Sequence, residues 1–400
     1  MVPKILLLVN SDPLGEGIGE LFLREIGKVY PAARLVRYST VQKRQAVGES
    51  TWLGFRSITR YVNSSRWPIF SSINEWFFSL FNVNSMAMEV ESIIKEEDVD
   101  IVWAVLSSGS MITLVDRLMQ NRKLSIVSTI WDDPKYFARN KYIDPFTWQN
   151  MHAAFKRVIR GSLRLSVMCE SMQNIYRECY GVESVIMRHG IEESNFREWK
   201  ANENSNIVRI GFAGSLYAKK EWNALLKMLD SVGGRIAGKD VRISFIGRKP
   251  RTGVGASKYV DYQGYMSFES ALDCLYNSNI AYLPYWFDRR HSLTVKTSFP
   301  GKLSTYAACG IPVLYHGPLN SSVTPFIEEY PFGVCCHSLD KNSIYAAILC
   351  ILEDKGFICN ASYAREQALT NELSRAAMLR RFSELIDCKF DAINKFYKFE

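Results

Sequence analysis

TSFPGKLSTYAACGIPVLY, residues 297–315, is the stretch from which the fold of this 400-residue chain is read. It predicts a loop, a helix of small and apolar residues, a Gly-Ile-Pro stop and a buried strand. Pro300 suits the first turn of a helix, where a missing N–H costs nothing, and Leu303, Tyr306 and Ala307 fall on one helical face. Gly310 is placed to end the helix as a C-cap, and Pro312 forbids its continuation. In an open α/β sheet, a helix that begins just past a strand's carboxyl end aims its free N–H groups into the crevice where ligands lie, which predicts an anion site. Lys302, in the first turn, adds a full positive charge to those partial ones. The ligand expected from these residues bears phosphate.

Outward from this stretch the βα unit repeats. Strands are expected over 207–212, 241–246, 259–262 and 280–283, helices over 222–229 and 267–276, a glycine turn over 214–220 and a loop over 284–298. Helices follow near 343–353, 361–369 and 379–386. The first half carries the same pattern, with strands over 4–9, 100–106, 124–130, 165–169 and 185–187 and helices over 18–29, 111–119 and 171–180. Short apolar runs alternating with amphipathic helices imply an α/β chain of two doubly wound, Rossmann-like domains. Residues 191–206 are polar, lack an apolar period and read as the linker. The expected division is 1–192, 207–375 and a C-terminal helical segment 376–400, and 400 residues exceed the size at which one core keeps growing.

Composition is that of an ordinary folded protein, 47% hydrophobic and 22% charged. No apolar run approaches the ~20 residues of a membrane span, and the run Ile5–Val9 is too short for a signal peptide and reads as a first strand. Nine cysteines without a CxxC pair argue against a zinc site or a disulfide scaffold and suit a reducing cytosol, with the adjacent Cys335 and Cys336 read as small hydrophobes. The net charge of +8 is concentrated: residues 24–66 hold nine Lys and Arg (Arg24, Lys28, Arg34, Arg37, Lys43, Arg44, Arg56, Arg60, Arg66) against Glu25 and Glu49. The aromatic-rich segment 67–81, WPIFSSINEWFFSLF, follows directly. Two readings stand: an anionic membrane surface or lipid-linked substrate met by this segment, or a core helix beside a solvated basic face. Nucleic acid is not expected, since no binding motif accompanies the charge.

Four short motifs now carry a resemblance. Pro300-Gly-Lys302-Leu-Ser-Thr305-Tyr306-Ala-Ala-Cys-Gly310-Ile-Pro312-Val313 resembles the P-x-K-L-x-E-Y-x-x-x-G-x-P-V of retaining nucleotide-sugar glycosyltransferases of the GT-B fold, family 4-like. Phe212-Ala-Gly214-Ser215 with Lys220 is similar to that family's G-R-L-x-x-x-K turn, Asp261-Tyr-Gln-Gly264-Tyr265 to its V-x-F-x-G strand, and Arg188-His-Gly190-Ile191-Glu192 to its P-N-G-I-D. The resemblance implies a nucleotide-sugar donor on the C-terminal domain, a glycan or lipid-linked acceptor on the N-terminal one, and chemistry in the cleft between them, with retention and with no metal or other cofactor. It makes Lys220 and Lys302 the cations that neutralise the diphosphate, brings Gly214 and Ser215 close to it, and places Thr305 among the donor contacts. Arg289 and Arg290 either join this clamp or are solvated loop charges. The implied setting is the cytoplasm, either free or peripheral at the inner face of the membrane.

The departures from the family pattern are specific. Its paired glutamates correspond to Thr297 and Thr305, and the arginine of its G-R-L turn corresponds to Ser215. Threonine can hydrogen-bond a sugar hydroxyl but supplies no carboxylate, so a catalytically inactive nucleotide-sugar-binding homologue stays open, as does a sugar-nucleotide epimerase of the same fold. A two-domain ligand-binding receptor is a third alternative, weakened by the missing export signal.

In the first half, Gly15, Gly17 and Gly19 follow the first strand as G-x-G-x-G, which is not the dinucleotide spacing. They read either as an acceptor-side loop that lets a ligand approach the backbone or as a plain turn. Asp132 and Asp133 follow the strand over 124–130, where a carboxylate could take the acceptor's proton or orient the sugar; Asp before Pro134 also commonly caps a helix. His189 reads as a cleft residue or a structural one.

Overall fold

The computed structural model of the chain describes residues 2–394 apart from 16, 32, 66, 68, 122, 200–205 and 251–257. Arg66, part of the expected linker and residues 395–400 of the expected C-terminal segment lie outside the described residues. The chain is α/β and forms two compact units, one comprising Met1–Arg188 with Met378–Glu400 and the other His189–Ala377.

In the first unit the described strands are β1 (Ile5–Val9), β2 (Leu35–Val41), β3 (Gly48–Trp52), β4 (Phe55–Tyr61), β5 (Ile101–Val105), β6 (Ile126–Thr129), β7 (Arg164–Val167) and β8 (Val185–Ile186). They form one sheet in the order β3-β4-β2-β1-β5-β6-β7-β8, parallel except for the β3–β4 hairpin. β1 is buried along its whole length because helices cover both faces, which is why it reads as an unbroken apolar run. β1 lies between β2 and β5, so the chain leaves it first to one side and later to the other. The connections at the carboxyl ends of β1 and β5 therefore flank a topological switch point.

Strands β2 to β4 were not expected, because arginines interrupt the apolar pattern of β2 and β4, and β3 is short, polar and largely exposed. The structure explains those charges. Arg37 is fully buried and pairs with Glu20 at 2.7 Å; Arg56 pairs with Glu97 at 2.8 Å, Arg60 with Glu89, and Lys28 with Glu25 at 2.8 Å. Arg37, Arg56 and Arg60 of the +7 segment are thus matched by acids from elsewhere in the chain, whereas Lys43 and Arg44 stay exposed on the turn after β2.

The C-terminal segment returns to this unit. Helix Arg375–Leu385 carries Met378, Leu379, Phe382 and Leu385 into the core that holds Ile5, Leu7, Val9 and Trp103, with the Phe382 and Trp103 rings 4.7 Å apart.

The second unit is built from β9 (Ile207–Ala213), β10 (Arg235–Ile236), β11 (Lys239–Ile246), β12 (Val260–Gly264), β13 (Ile280–Pro284), β14 (Val313–His316) and β15 (Gly333–Cys336). The order is β10-β11-β9-β13-β14-β15, with β12 also on β11 and only β10 antiparallel. β9 sits between β11 and β13, which makes its carboxyl end the switch point of this sheet. The opening stretch forms helix Lys302–Ala308 and strand β14. Gly310 takes φ +68°, a conformation that a side chain would strain, and a Cβ there would lie 2.5 Å from the Glu198 carbonyl oxygen. Tyr306 and Ala307 pack fully buried between this helix and the sheet.

Candidate functional site

Lys302 is the first residue of helix Lys302–Ala308 and reaches the turn that follows β9. Its ammonium donates to the Ser215 carbonyl at 2.7 Å and lies 4.1 Å from the centre of the Phe212 ring and 4.8 Å from that of Tyr217. Among the described residues no carboxylate pairs with it. Loss of water around the charged form pushes its pKa down to about 7. A carbonyl dipole and two π faces hold a cation in place but leave its charge uncompensated.

Its seat is made by Gly214, at φ +89°, where a Cβ would come 3.2 Å from Lys302 Cε. The turn is fixed to the end of β11 and to the helix that carries Lys302: Gly214 N–H donates to the Ile246 carbonyl at 2.8 Å, and Ala213 N–H donates to the Tyr306 hydroxyl at 3.1 Å. The helix that begins at Lys302 has seven residues and no side-chain cap. The anion reading therefore rests on the lysine and its seat more than on the helix end.

Lys220 stands exposed in the first turn of helix Lys219–Ser231, on the same connection after β9. Arg289 and Arg290 are exposed in the 3-10 turn Arg289–His291, on the connection after β13. Two hydrogen bonds tie these connections together, Phe287 N–H to Glu221 at 2.9 Å and Trp286 Nε1 to the Tyr217 carbonyl at 3.2 Å. The structure thus joins Gly214, Ser215 and Lys302 directly, and places Lys220, Arg289 and Arg290 on two fastened loops at the same sheet edge. Thr305 lies one turn beyond Lys302, half-buried. Thr297 differs: it is fully buried, and its hydroxyl donates to the Leu293 carbonyl at 2.9 Å within its own helix.

Sequence reasoning missed the aromatic walls. Tyr217 and Trp286 are 4.6 Å apart, and Trp286 stacks on His291 at 4.4 Å, with His291 bonded to Asp288 at 2.8 Å. Glu221, which fastens the loops, is buried, and burial pushes its carboxyl pKa up. The only signal was the aromatic spacing around the glycine turn, Phe212 and Tyr217.

In the first unit, the turn after β1 closes through Gly15 N–H to the Asp12 carbonyl at 2.8 Å, and Gly17 leads into helix Ile18–Gly27 with open space where a Cβ would go. Gly19 has a packing role: a Cβ there would meet the Trp131 ring at 2.5 Å. That contact seats the connection carrying Asp132 beside the glycine turn. Asp133 caps helix Pro134–Asn140 through Lys135 N–H at 2.9 Å, and its second oxygen accepts from the Tyr176 hydroxyl at 3.2 Å. With both oxygens committed and burial pushing its pKa up, Asp133 has the capping role of an Asp before proline. Asp132 is half-buried on the loop. His189 is buried in the second unit, and burial pushes its pKa down to about 4, so the imidazole is neutral.

By sequence, no protein-family model and no curated protein matches the chain. By structure, it is similar over 97% of its length to sucrose-phosphate synthase from Thermosynechococcus elongatus, of which it covers 100%, at a TM-score of 0.69 and 12% identity. Anabaena HepE, in complex with UDP and glucose, matches 96% of this chain and 100% of its own at a TM-score of 0.66 and 13% identity, and has also been solved with UDP-glucose. A glycosyltransferase from Rickettsia africae matches over 100% of both chains at a TM-score of 0.61 and 14% identity. The chain, with a doubly wound parallel sheet in each of its two units, has the GT-B glycosyltransferase fold.

Proposed function

We propose that this chain is a glycosyltransferase that moves a sugar from a nucleoside-diphosphate sugar, bound by the second unit, to a glycan or lipid-linked acceptor held by the first. The observation that carries the reading is Lys302: a cation without a carboxylate partner among the described residues, fixed against a glycine turn at the switch point of a parallel sheet. The fold likeness to proteins solved with UDP and UDP-glucose supports it.

When the bond from the anomeric carbon to the diphosphate breaks, negative charge develops on the phosphate oxygen. A pre-placed ammonium stabilises that charge without having to reorganise. Lys302 supplies this contact, Gly214 and Ser215 let the phosphates approach the backbone, and Lys220, Arg289 and Arg290 add positive potential from the fastened loops. Thr305 meets a donor hydroxyl. On the acceptor side, the turn at Gly15 and Gly17 admits the acceptor and Asp132 orients or deprotonates its hydroxyl. Transfer with retention and without a metal, in polysaccharide or glycoconjugate synthesis in the cytoplasm, completes the proposal.

The test is a thermal-shift screen against nucleoside diphosphates and their sugars, followed by transfer assays on glycan and lipid-linked acceptors. A raised melting midpoint that disappears in Lys302→Ala is the expected result; no response of the intact chain to any nucleotide defeats the reading. Thr297 favours one alternative, because its buried, internally bonded hydroxyl leaves that position without a group to offer the donor. A binding homologue of this kind would respond to the nucleotide sugar yet leave it unconsumed in every acceptor mixture.

A further inference from the structure

Helix Phe70–Phe77 continues through a π turn, Phe78–Asn82, into helix Val83–Glu96, and its first three turns are inside out. Ser71, Ser72 and Phe78 face the protein, whereas Phe70, Phe77, Leu80 and Phe81 are 62%, 56%, 62% and 69% exposed. With Ile69, Ile73 and Trp76, they form one stripe at helical spacing, and all of these but Phe70 border an apolar groove of about 460 Å³. Phe146 extends the stripe by stacking on Trp76 at 5.6 Å. Folding gains nothing from leaving such a surface in water, and contiguous apolar patches of this kind mark interaction sites.

The charge around the stripe identifies the partner. Residues 134–161, which carry Phe146, contain six Lys and Arg, of which Arg157 is paired with Asp116 at 2.7 Å, against a single acid, Asp144, whose carboxylate caps its helix by accepting from Phe146 and Thr147 N–H groups. Lys141 donates to Ser64 at 3.0 Å, just ahead of the stripe. Lys43 and Arg44 are exposed on the turn after β2, and Arg44 lies 5.0 Å over Tyr61. Tyr61 bonds Asn63, and Asn63 bonds Asn74 of the helix at 2.9 Å. The acid of the stripe's own helix, Glu75, turns inward against Gly109 and Met151.

We propose that this aromatic stripe is a membrane-docking face, which lies on the interface of an anionic bilayer with its side chains among the upper acyl chains and the flanking cations on lipid headgroups. Of the basic residues in 24–66, Arg37, Arg56 and Arg60 are occupied by internal acids, whereas Lys43 and Arg44 are exposed. The proposal does not depend on the donor site.

Flotation of the whole chain with vesicles of phosphatidylcholine alone, and of phosphatidylcholine mixed with phosphatidylglycerol, tests it. The expected result is capture by the anionic vesicles, cut about tenfold or more in the double variant Phe77→Gln/Phe81→Gln and severalfold in Lys43→Glu/Arg44→Glu. Both variants change exposed side chains, so the melting midpoint and its shift with nucleoside diphosphate should stay at the values of the intact chain. Absence of capture by either vesicle overturns the proposal, as does equal capture by both. A concentration-dependent dimer in sedimentation that Phe77→Gln/Phe81→Gln abolishes, without vesicle capture, overturns it in favour of a second copy of the chain.

Discussion

Each sheet places a cation beside the connection at its switch point, and the two cations are treated in opposite ways. In the first unit, Arg37 gives its guanidinium to Glu20 at 2.7 and 2.8 Å, to Ser39 at 2.7 Å and to Ser11 at 2.9 Å, with Trp52 4.5 Å below it. Trp52 Nε1 completes the set by donating to Glu20 at 2.9 Å. In the second unit, Lys302 has the aromatic walls and one carbonyl, but no counterpart of Glu20 among the described residues. The first charge is consumed by the fold, and in the function proposed above the second meets the ligand's phosphates.

The comparison breaks most readily at Glu20. Glu20→Ala strands a fully buried guanidinium and should cost about 3–5 kcal/mol in urea unfolding, whereas Glu20→Leu combined with Arg37→Met should recover most of that loss. A small effect of Glu20→Ala would mean that the network is not what fixes the turn after β1. At the other cation the expectation reverses. Lys302→Ala should leave unfolding almost unchanged, while nucleoside-diphosphate binding measured by calorimetry weakens by roughly 1.5–3 kcal/mol, the worth of a charged hydrogen bond. Unchanged affinity would remove Lys302 from the site.

Gly214→Ala sharpens the same point. It forces a side chain into a left-handed turn against Lys302, and an unfolding loss of about 1–2 kcal/mol together with weakened nucleotide binding is expected. A smaller effect follows from pH. With its pKa at about 7, Lys302 loses its proton as pH rises through neutrality, so diphosphate affinity should fall roughly fivefold from pH 7 to pH 8, with proton uptake on binding. Lys302→Arg should flatten that slope, and a slope that persists in the arginine variant would assign it to another group. The stability term has the opposite sense: the cost of desolvating the ammonium is full below pH 7 and is relieved as pH rises toward the ordinary lysine value of 10.5, because the unfolded chain holds more protons in that interval.

Much of this architecture is legible in the residues. The strands at Ile5–Val9, Ile101–Val105, Ile207–Ala213 and Val313–His316 announce themselves because strands covered on both faces are unbroken apolar runs. Gly310 and Pro312 punctuate the helix before β14 as their backbone restrictions require. Strands β2 and β4 are hidden because burial of Arg37 depends on Glu20, 17 positions away, and the pairing of Arg60 on Glu89, 29 positions away. Local pattern carries no record of such pairing. The candidate site divides similarly, since Lys302 and Gly214 are legible from their motifs while Tyr217, Trp286 and Glu221 are brought together only by the linked loops. For Asp133 and Gly19 the sequence leaves a ligand role and a structural one open, and only the tertiary structure shows the cap that the first makes and the ring that the second packs against.

What the sequence by itself determined is the alternation of strands and helices and the position of a lysine behind a phosphate-type turn, because periodicity, glycine and proline act within a few residues of chain. Tertiary structure alone decided which charges are spent and which remain. Arg37 meets Glu20 in the core, Lys302 meets no acid among the described residues, and the serines of helix Phe70–Phe77 turn inward while its aromatic residues turn out. The physical reason is that the energy of a charge or an apolar ring is set by what surrounds it in space, and those surroundings are assembled from residues far apart in the chain.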